Sequence, residues 1–247
     1  MDGFDPTTSF GPDIAARYDQ TLRGDEQQAV AFLAEHAAGG PALELAVGTG
    51  RIALPLARAG VPVDGIERSA AMAQVLAAKP GGADISVTQG DMSTADAPAG
   101  PYPLIYLVFN TITNLLSQDE QVRCFVNAAR HLTPDGVFVV ETGTSWAFAG
   151  RTNFVDAEQV SAEEVVLDVN TFDPATQILA ENHVRISAGG IRMGPIAQRI
   201  ASHGELDLMA RIAGLRLAER YGWWDSRPFD GSCSSHVSVY QRSSAPA

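Results

Sequence analysis

The chain has 247 residues, 45% of them hydrophobic, so it is long enough to bury a sizeable core, and we expect one domain spanning residues 1–247. Its formal net charge of -12 opposes phosphate backbones, so DNA and RNA are not expected as partners. The sequence has no apolar run long enough for a membrane helix, no signal-peptide core in its first twelve residues and two isolated cysteines, which predicts a cytoplasmic protein with no membrane contact, disulfide framework or metal site.

The first 142 residues alternate helical and strand-like segments. Helical spacing from Asp13 to Ala38 predicts one or two N-terminal helices, which we take as a lid over residues 1–38. Strand-like segments alternate with helical segments beyond this point, which predicts an α/β fold with a doubly wound parallel sheet. The predicted strands are Ala42–Val47, Val61–Ile66, Asp84–Val87, Leu104–Phe109 and Val137–Glu141, and the clearest helices are Ala70–Ala78 and Asp119–Leu132.

The pattern changes after Thr142. Three β segments separated by turn residues predict a small antiparallel meander inserted within residues 144–199. A helix is predicted at Glu205–Ala213, followed by a hairpin and a disordered tail over Ser243–Ala247. The three meander segments are Val165–Asn170, Ile178–Ile186 and Ile191–Arg199, and the hairpin strands are Leu215–Tyr221 and His236–Gln241.

A glycine turn follows the first predicted strand. Gly48 and Gly50 allow the backbone to approach a ligand closely, and the free N–H groups of the next helix favour an anionic group. The same residues also match the dinucleotide pattern GxGxxG/A, with Ala53 at its last position, and a turn needed only for packing is a further alternative.

Acidic residues follow the next two strands. Glu67 comes at the end of the second strand, where a carboxylate can accept hydrogen bonds from both ribose hydroxyls, and Arg68 comes directly after it. Asp91 follows the third strand, where it can accept from an adenine amino group, and Met92 offers a polarisable surface to the ring. Either pair could instead be ordinary loop residues.

With these features in this order, the chain resembles the class I S-adenosylmethionine (SAM)-dependent methyltransferases. The resemblance implies SAM as the cofactor and a Rossmann-like seven-stranded sheet of order 3-2-1-4-5-7-6 with strand 7 antiparallel. It also assigns Glu44 as the acidic residue four positions before Gly48, while Ala46 departs from the glycine that the family most often has.

The resemblance extends the cofactor site to residues outside the glycine turn. It implies a lid-helix role for Tyr18, together with Arg23, and places Phe109 and Asn110 at the end of strand four, near the methyl group and the acceptor. A core aromatic is an equal alternative for Phe109. The full predicted cofactor set is Tyr18, Arg23, Glu44, Ala46, Gly48, Gly50, Glu67, Arg68, Asp91, Met92, Phe109 and Asn110.

Two histidines are candidate bases on the acceptor side. His236 begins the last strand and His203 precedes a helix, so both are expected near the acceptor pocket, although a structural role is the alternative for each. The hairpin segment Tyr221–Ser235 is expected to border that pocket, and the insert over residues 144–199 is expected to form its lid.

We therefore expect a methyltransferase that acts on an O or N atom of a small molecule, as in secondary metabolism. The alternatives are an NAD(P)-dependent oxidoreductase of Rossmann fold and a non-catalytic SAM-binding protein. No tyrosine precedes Lys79 at the Tyr-x-x-x-Lys spacing of short-chain dehydrogenases, which argues against the oxidoreductase. The sequence leaves a homodimer open.

Overall fold

A computed structural model describes residues 9–20 and 23–243 of the chain. The predicted N-terminal lid is therefore described only in part, and the predicted tail lies outside the described residues except for Ser243. Among the described residues, no helix combines the length and the apolar character needed to cross a membrane.

The core of the molecule is a seven-stranded sheet of order β3-β2-β1-β4-β5-β11-β10. Neighbouring strands among β1 to β5 run parallel, whereas β11 is antiparallel to both β5 and β10. Since β10 and β11 are the sixth and seventh strands of this sheet along the chain, the predicted order and the antiparallel last strand are confirmed. The strands are β1 Ala42–Leu45, β2 Val63–Glu67, β3 Ser86–Gln89, β4 Tyr102–Leu107, β5 Leu132–Gly143, β10 Leu215–Tyr221 and β11 Ser235–Arg242.

Helices cover both faces of this sheet. On one face, Phe125 of α5 packs edge-on against Phe138 and Tyr240, with ring centroids 5.2 and 5.4 Å apart. On the other face, Phe32 of α2 packs against Trp224 at 5.5 Å. The helices are α1 Pro12–Ala15, α2 Glu26–His36, α3 Ala53–Arg58, α4 Ala70–Ala78, α5 Gln118–His131 and α6 His203–Ile212.

A second, four-stranded antiparallel sheet is inserted between β5 and α6. This confirms the predicted meander, but its first strand was not predicted because Asp156, Glu158 and Gln159 interrupt the apolar pattern there. The buried Arg199 ties the sheet to the main domain through Gln121 and Glu205, both at 2.5 Å. The strands are β6 Asn153–Val160, β7 Glu164–Asp173, β8 Ile178–Ser187 and β9 Gly190–Arg199, in that order across the sheet.

Two predicted strands extend two residues beyond the observed strand ends, for the same reason. Strand β1 ends at Leu45 because Ala46 has φ +58°, and β4 ends at Leu107, before Phe109 and Asn110 at φ +59° and +56°. Left-handed backbone at residues other than glycine costs energy and is concentrated at functional sites. Both deviations occur at the carboxyl edge of the parallel strands, where the candidate site lies.

Candidate functional site

A cavity of about 300 Å³ opens at the carboxyl ends of β1 to β4. This volume is at the lower end of the range for ligand pockets, and this edge is where ligands bind in doubly wound α/β sheets. The lining residues are Phe10, Tyr18, Ala46, Gly48, Ile66, Glu67, Arg68, Ser69, Met72, Gly90, Asp91, Met92, Thr111, Asn114 and Leu115.

The two glycines of the turn after β1 do different things. Gly48 lines the cavity, and a Cβ atom added to it would meet no atom closer than the Ala46 carbonyl oxygen at 4.0 Å. A Cβ atom on Gly50 would come within 2.4 Å of Leu76 Cδ1, in the core. Gly48 therefore leaves space beside the cavity, whereas Gly50 permits close packing of α4 against the turn.

Glu67 presents a buried carboxylate to the cavity. Its Oε2 accepts a hydrogen bond from the Gly48 N–H at 2.8 Å, and its Oε1 accepts one from the Ser69 N–H at 2.7 Å. Burial raises the pKa of this carboxyl group, and the main-chain N–H donors oppose that rise. Each oxygen keeps lone-pair capacity for a further donor, which a ligand hydroxyl could supply.

Asp91 provides a second carboxylate after β3. Its Oδ1 accepts from the Ser93 N–H at 2.7 Å, and its Oδ2 lies 3.6 Å from Nη1 of Arg68. Apolar side chains from Ile66, Met92 and other residues complete the walls. The cavity therefore combines two fixed acceptors with apolar surface, a combination suited to a nucleoside.

Residues 9–20, here called the N-terminal strap, close one side of the cavity. Ser69 Oγ donates to the Phe10 carbonyl at 2.7 Å, and Thr49 Oγ1 donates to Asp19 at 2.7 Å. Lys79 Nζ pairs with Asp19 at 2.7 Å and donates to the Thr49 carbonyl at 2.6 Å. The strap thus holds Tyr18 against the cavity, where burial raises the pKa of its phenol.

Five of the twelve predicted cofactor residues do not line the cavity: Arg23, Glu44, Gly50, Phe109 and Asn110. Glu44 is buried inside β1, where it accepts from the Tyr106 hydroxyl at 2.9 Å, and burial raises its pKa to about 8. Its position below the turn, rather than its chemistry, keeps it away from the cavity.

Phe109 and Asn110 form the strained turn after β4, and Arg23 packs against it. The guanidinium carbon of Arg23 lies 3.1 Å from the centre of the Phe109 ring. The Phe109 N–H donates to buried Glu141, whose pKa is raised to about 7 by that burial. Asn110 Oδ1 accepts from the Gly143 N–H and Thr142 Oγ1, so it braces β4 against β5.

Neither predicted base lines the cavity. His236 is buried, its Nδ1 lies 2.9 Å from Ser238 Oγ, and its Nε2 has no partner among the described residues. Burial, with the charge of Arg220, lowers its pKa to about 3, so the imidazole is neutral at physiological pH. His203 packs in an aromatic cluster with His236, Phe229 and Trp146.

The large aromatic side chains of the hairpin segment Tyr221–Ser235 lie in different environments. Trp224 is buried in the core beside Phe32, and only Phe229 joins the cluster around His203. Trp223 lines a separate cavity of about 530 Å³ within the hairpin loop, together with Arg227.

Eight lining residues were absent from the predicted set: Phe10, Ile66, Ser69, Met72, Gly90, Thr111, Asn114 and Leu115. Thr111 and Asn114 had a sequence signal, because polar residues after a buried strand need partners. The Asn114 amide makes no hydrogen bond to the described residues. Phe10 and Met72 had no sequence signal, because they reach the cavity from elements distant in sequence.

The groups around the cavity fit SAM. The ribose hydroxyls and the adenine amino group are donors that match the acceptors Glu67 and Asp91. The excess of carboxylates over the one cation Arg68 suits a positively charged sulfonium. The Tyr18 hydroxyl and the Asn114 amide lack hydrogen-bond partners among the described residues and are free to bind a ligand.

One group of potential metal ligands lies far along the chain from the cavity residues, in the four-stranded sheet. Donor atoms of Glu158, Asp168 and His183 lie within 4.8 Å of one another. Glu181 and Asp168, at 2.9 and 2.6 Å from His183, raise its pKa to about 9. A protonated imidazolium paired with carboxylates accounts for this arrangement.

Comparisons with known proteins identify the family. Residues 42–136 match the family model described as "Methyltransferase domain". The structure of the CcbJ methyltransferase from Streptomyces caelestis superimposes with a TM-score of 0.91 at 38% identity, covering 98% of this chain and 100% of that chain.

Two further relatives are more distant. The cypemycin N-terminal methyltransferase of a Streptomyces species is 25% identical over 219 residues, 86% of this chain and 88% of that protein. SAM-bound CalS10, an amino pentose methyltransferase from Micromonospora echinaspora, matches with a TM-score of 0.71 at 21% identity, over 92% of this chain and 95% of that chain. The identity and coverage of the CcbJ match, together with the fold and the cavity, assign this chain to the SAM-dependent methyltransferases.

Proposed function

We propose that this enzyme transfers the methyl group of SAM to an amino nitrogen of a small natural-product-like molecule. The observation that carries the proposal is the burial of His236, one of the two histidines predicted as bases. His236 has a pKa of about 3 and no exposed ring nitrogen, so it is a poor proton acceptor at neutral pH. A hydroxyl acceptor needs a base, whereas a neutral amine already carries the lone pair that attacks.

The names of two relatives support a nitrogen acceptor. One is an N-terminal methyltransferase, and another is an amino pentose methyltransferase. Both names indicate an acceptor that carries an amine, so the same acceptor class is the natural first test for this chain.

Within this proposal, the cavity residues bind and orient the cofactor. Glu67 accepts from the ribose hydroxyls, Asp91 accepts from the adenine amino group, and Met92 packs against the ring. Bound SAM supplies an electrophilic methyl group. Tyr18 on the N-terminal strap excludes water from the site, because the strap is tied down by Asp19 and Lys79.

The acceptor enters, in this proposal, beside the residues that follow β4. Thr111 and Asn114 line the cavity there, and Gln198 of β9 contacts this segment by accepting from Thr113 Oγ1 at 3.2 Å. The inserted sheet thus stands next to the acceptor side and serves as its outer wall. In-line transfer then depends on alignment by these groups more than on proton removal.

The experiment compares matched amine and hydroxyl acceptors, such as amino sugars and the corresponding sugars, with SAM and mass spectrometric detection of the product. We expect methylated amines only, with a rate that rises as the amine loses its proton. Asp91→Asn should reduce turnover at limiting SAM, and the exposed Asp96→Asn serves as the matched control. Methylation of the hydroxyl series alone would overturn the nitrogen assignment.

A further inference from the structure

The large apolar side chains of the inserted sheet that are exposed share one face. Cross-strand pairs place Val155 opposite Val169, Val165 opposite Ile186, and Ile186 opposite Ile191, and residues directly opposite each other point to the same side. Following the same register, this apolar face comprises Val155, Val160, Val165, Leu167, Val169, Val184, Ile186, Ile191 and Met193.

This apolar face is open to solvent within the described chain. Six of its side chains are between 39% and 72% exposed, and they make up most of the large exposed hydrophobic residues that the structure describes. An antiparallel sheet with one apolar and one polar face normally buries the apolar one. Here the alternation of a half-buried sheet is present, but the described residues provide no cover.

Most charged residues of the sheet lie on the opposite face. Asp168 is opposite His183, and Arg185 is opposite Arg192, at positions that alternate with the apolar ones. The pairs Glu164–Arg185 and His183–Glu181 satisfy charges on that side. The opposite face also carries the buried residues Val166, Asn170 and Leu179, so it is partly covered, whereas the exposed apolar face is depleted in charge, as the core of a protein interface is.

The size of the apolar face matches the smallest stable interfaces. Four strands about 4.8 Å apart, with about six residues each at 3.3 Å per residue, project to roughly 400 Å². Protruding side chains make the accessible area larger than this projected area. Two such faces stacked together therefore bury on the order of 1,000 Å², the lower limit for specific association. This size is comparable to the largest apolar patch on a typical monomer, and patches of that size often mark binding surfaces.

We propose that the apolar face binds the same face of a second copy of this chain, forming a symmetric dimer. A two-fold pairing is self-complementary, so each valine and isoleucine meets apolar side chains of its partner. Because the face lacks charged side chains, stacking brings no like charges together, although each chain carries a net charge of -12. Two sheets packed in this way form a sandwich whose side chains interdigitate.

The test is sedimentation velocity and light scattering of the full chain between about 1 and 100 µM, the range in which interfaces of this size associate. We expect a species of twice the 26.1 kDa chain mass. Ile191→Asp should raise the dimer dissociation constant about tenfold or more, because the charge enters the interface from both copies.

Ile212→Asp is the matched control, since Ile212 and Ile191 are each 67% exposed and Ile212 lies on α6. We expect it to leave the dimer intact, and both variants to keep their SAM affinity. A monomeric native chain at 100 µM, or equal dissociation by the two variants, overturns the proposal. A dimer unaffected by Ile191→Asp and by Met193→Asp also overturns it, because association then uses another surface.

Discussion

Glu67 Oε2 accepts a hydrogen bond from the main-chain N–H of Gly48 at 2.8 Å, which links the end of β2 to the turn after β1. Both residues line the same cavity, so the bond fixes the carboxylate and the turn relative to each other. The geometry of the cofactor edge therefore depends on this pair, and changes on either side of it have separable effects.

Glu67→Gln should weaken SAM binding about 10- to 100-fold, because an acceptor oxygen is replaced by an amide that faces other donors. Calorimetric titration with SAM measures the change. Glu35→Gln, on the exposed side of α2, is the control. Equal affinities for the native enzyme and Glu67→Gln would contradict the placement of the ribose at this carboxylate.

Gly48→Ala and Gly50→Ala should separate binding from stability. Both residues have positive φ, +58° and +81°, so both variants lose about 1 kcal/mol to backbone strain. The new methyl group at 48 extends beside the cavity and should lower SAM affinity at least about tenfold, whereas at 50 it collides with Leu76 and should lower the Tm further. Calorimetry of both variants, with and without SAM, tests this pair, and a reversed pattern would refute it.

Glu44→Gln should stabilise the protein at alkaline pH. The folded-state pKa of about 8 lies above the ordinary 4.5, so the stability associated with protonated Glu44 is fully present below pH 4.5 and is lost as pH rises through about 8. The variant mimics the protonated side chain and keeps an acceptor for the Tyr106 hydroxyl. We expect a Tm difference near zero at pH 5 that grows to about 4–8 °C at pH 8.

Thermal unfolding across this pH range provides the measurement for Glu44→Gln. The exposed Glu163→Gln is the control, because its side chain remains in water after folding. A Tm gain that is constant with pH would show that burial of the Glu44 carboxylate is not its cause.

Asp19→Asn should loosen the N-terminal strap. The substitution removes the charge paired with Lys79 and weakens the acceptor for Thr49, but Asp19 is partly exposed, so we expect SAM to dissociate only about two- to fivefold faster. Asp13→Asn on the same strap changes a side chain that has no ion pair with the described residues and is the control. Pulse-chase release of labelled SAM measures both, and identical rates would exclude the strap as a barrier.

The sequence alone predicted the order of the main sheet and the edge at which the cavity lies. The strand order was implied by the resemblance to the SAM-dependent methyltransferases, whereas the edge was predicted from local features, namely apolar runs, a glycine turn and acidic residues at strand ends. Glu44 and Glu67 have similar local patterns, and only the contact with Tyr106 on a neighbouring strand separates the buried one from the one facing the cavity. The sequence likewise does not show that Gly50 packs against Leu76, because only the folded structure places these two residues side by side.

Burial accounts for the remaining differences between the sequence predictions and the structure. His236 is placed on the expected strand, yet nothing in its sequence neighbours indicates that its Nε2 is enclosed without a partner. Strand β6 was missed because Asp156, Glu158 and Gln159 interrupt its apolar pattern and nearly all of its side chains are exposed. The contacts that enclose His236 come in part from Thr142 and His203, which lie far away in sequence.

Lys79 is the single lysine among 247 residues, and its amine is held between Asp19 and the Thr49 carbonyl. Reagents that target primary amines, including common dyes, crosslinkers and resin chemistries, therefore have one internal lysine to modify, and it supports the turn beside the nucleotide-sized hollow. Attaching a label or resin to Lys79 would break the contacts that join the Thr49 turn to Asp19 of the N-terminal strap. Attachment through an introduced surface cysteine is therefore the sounder choice.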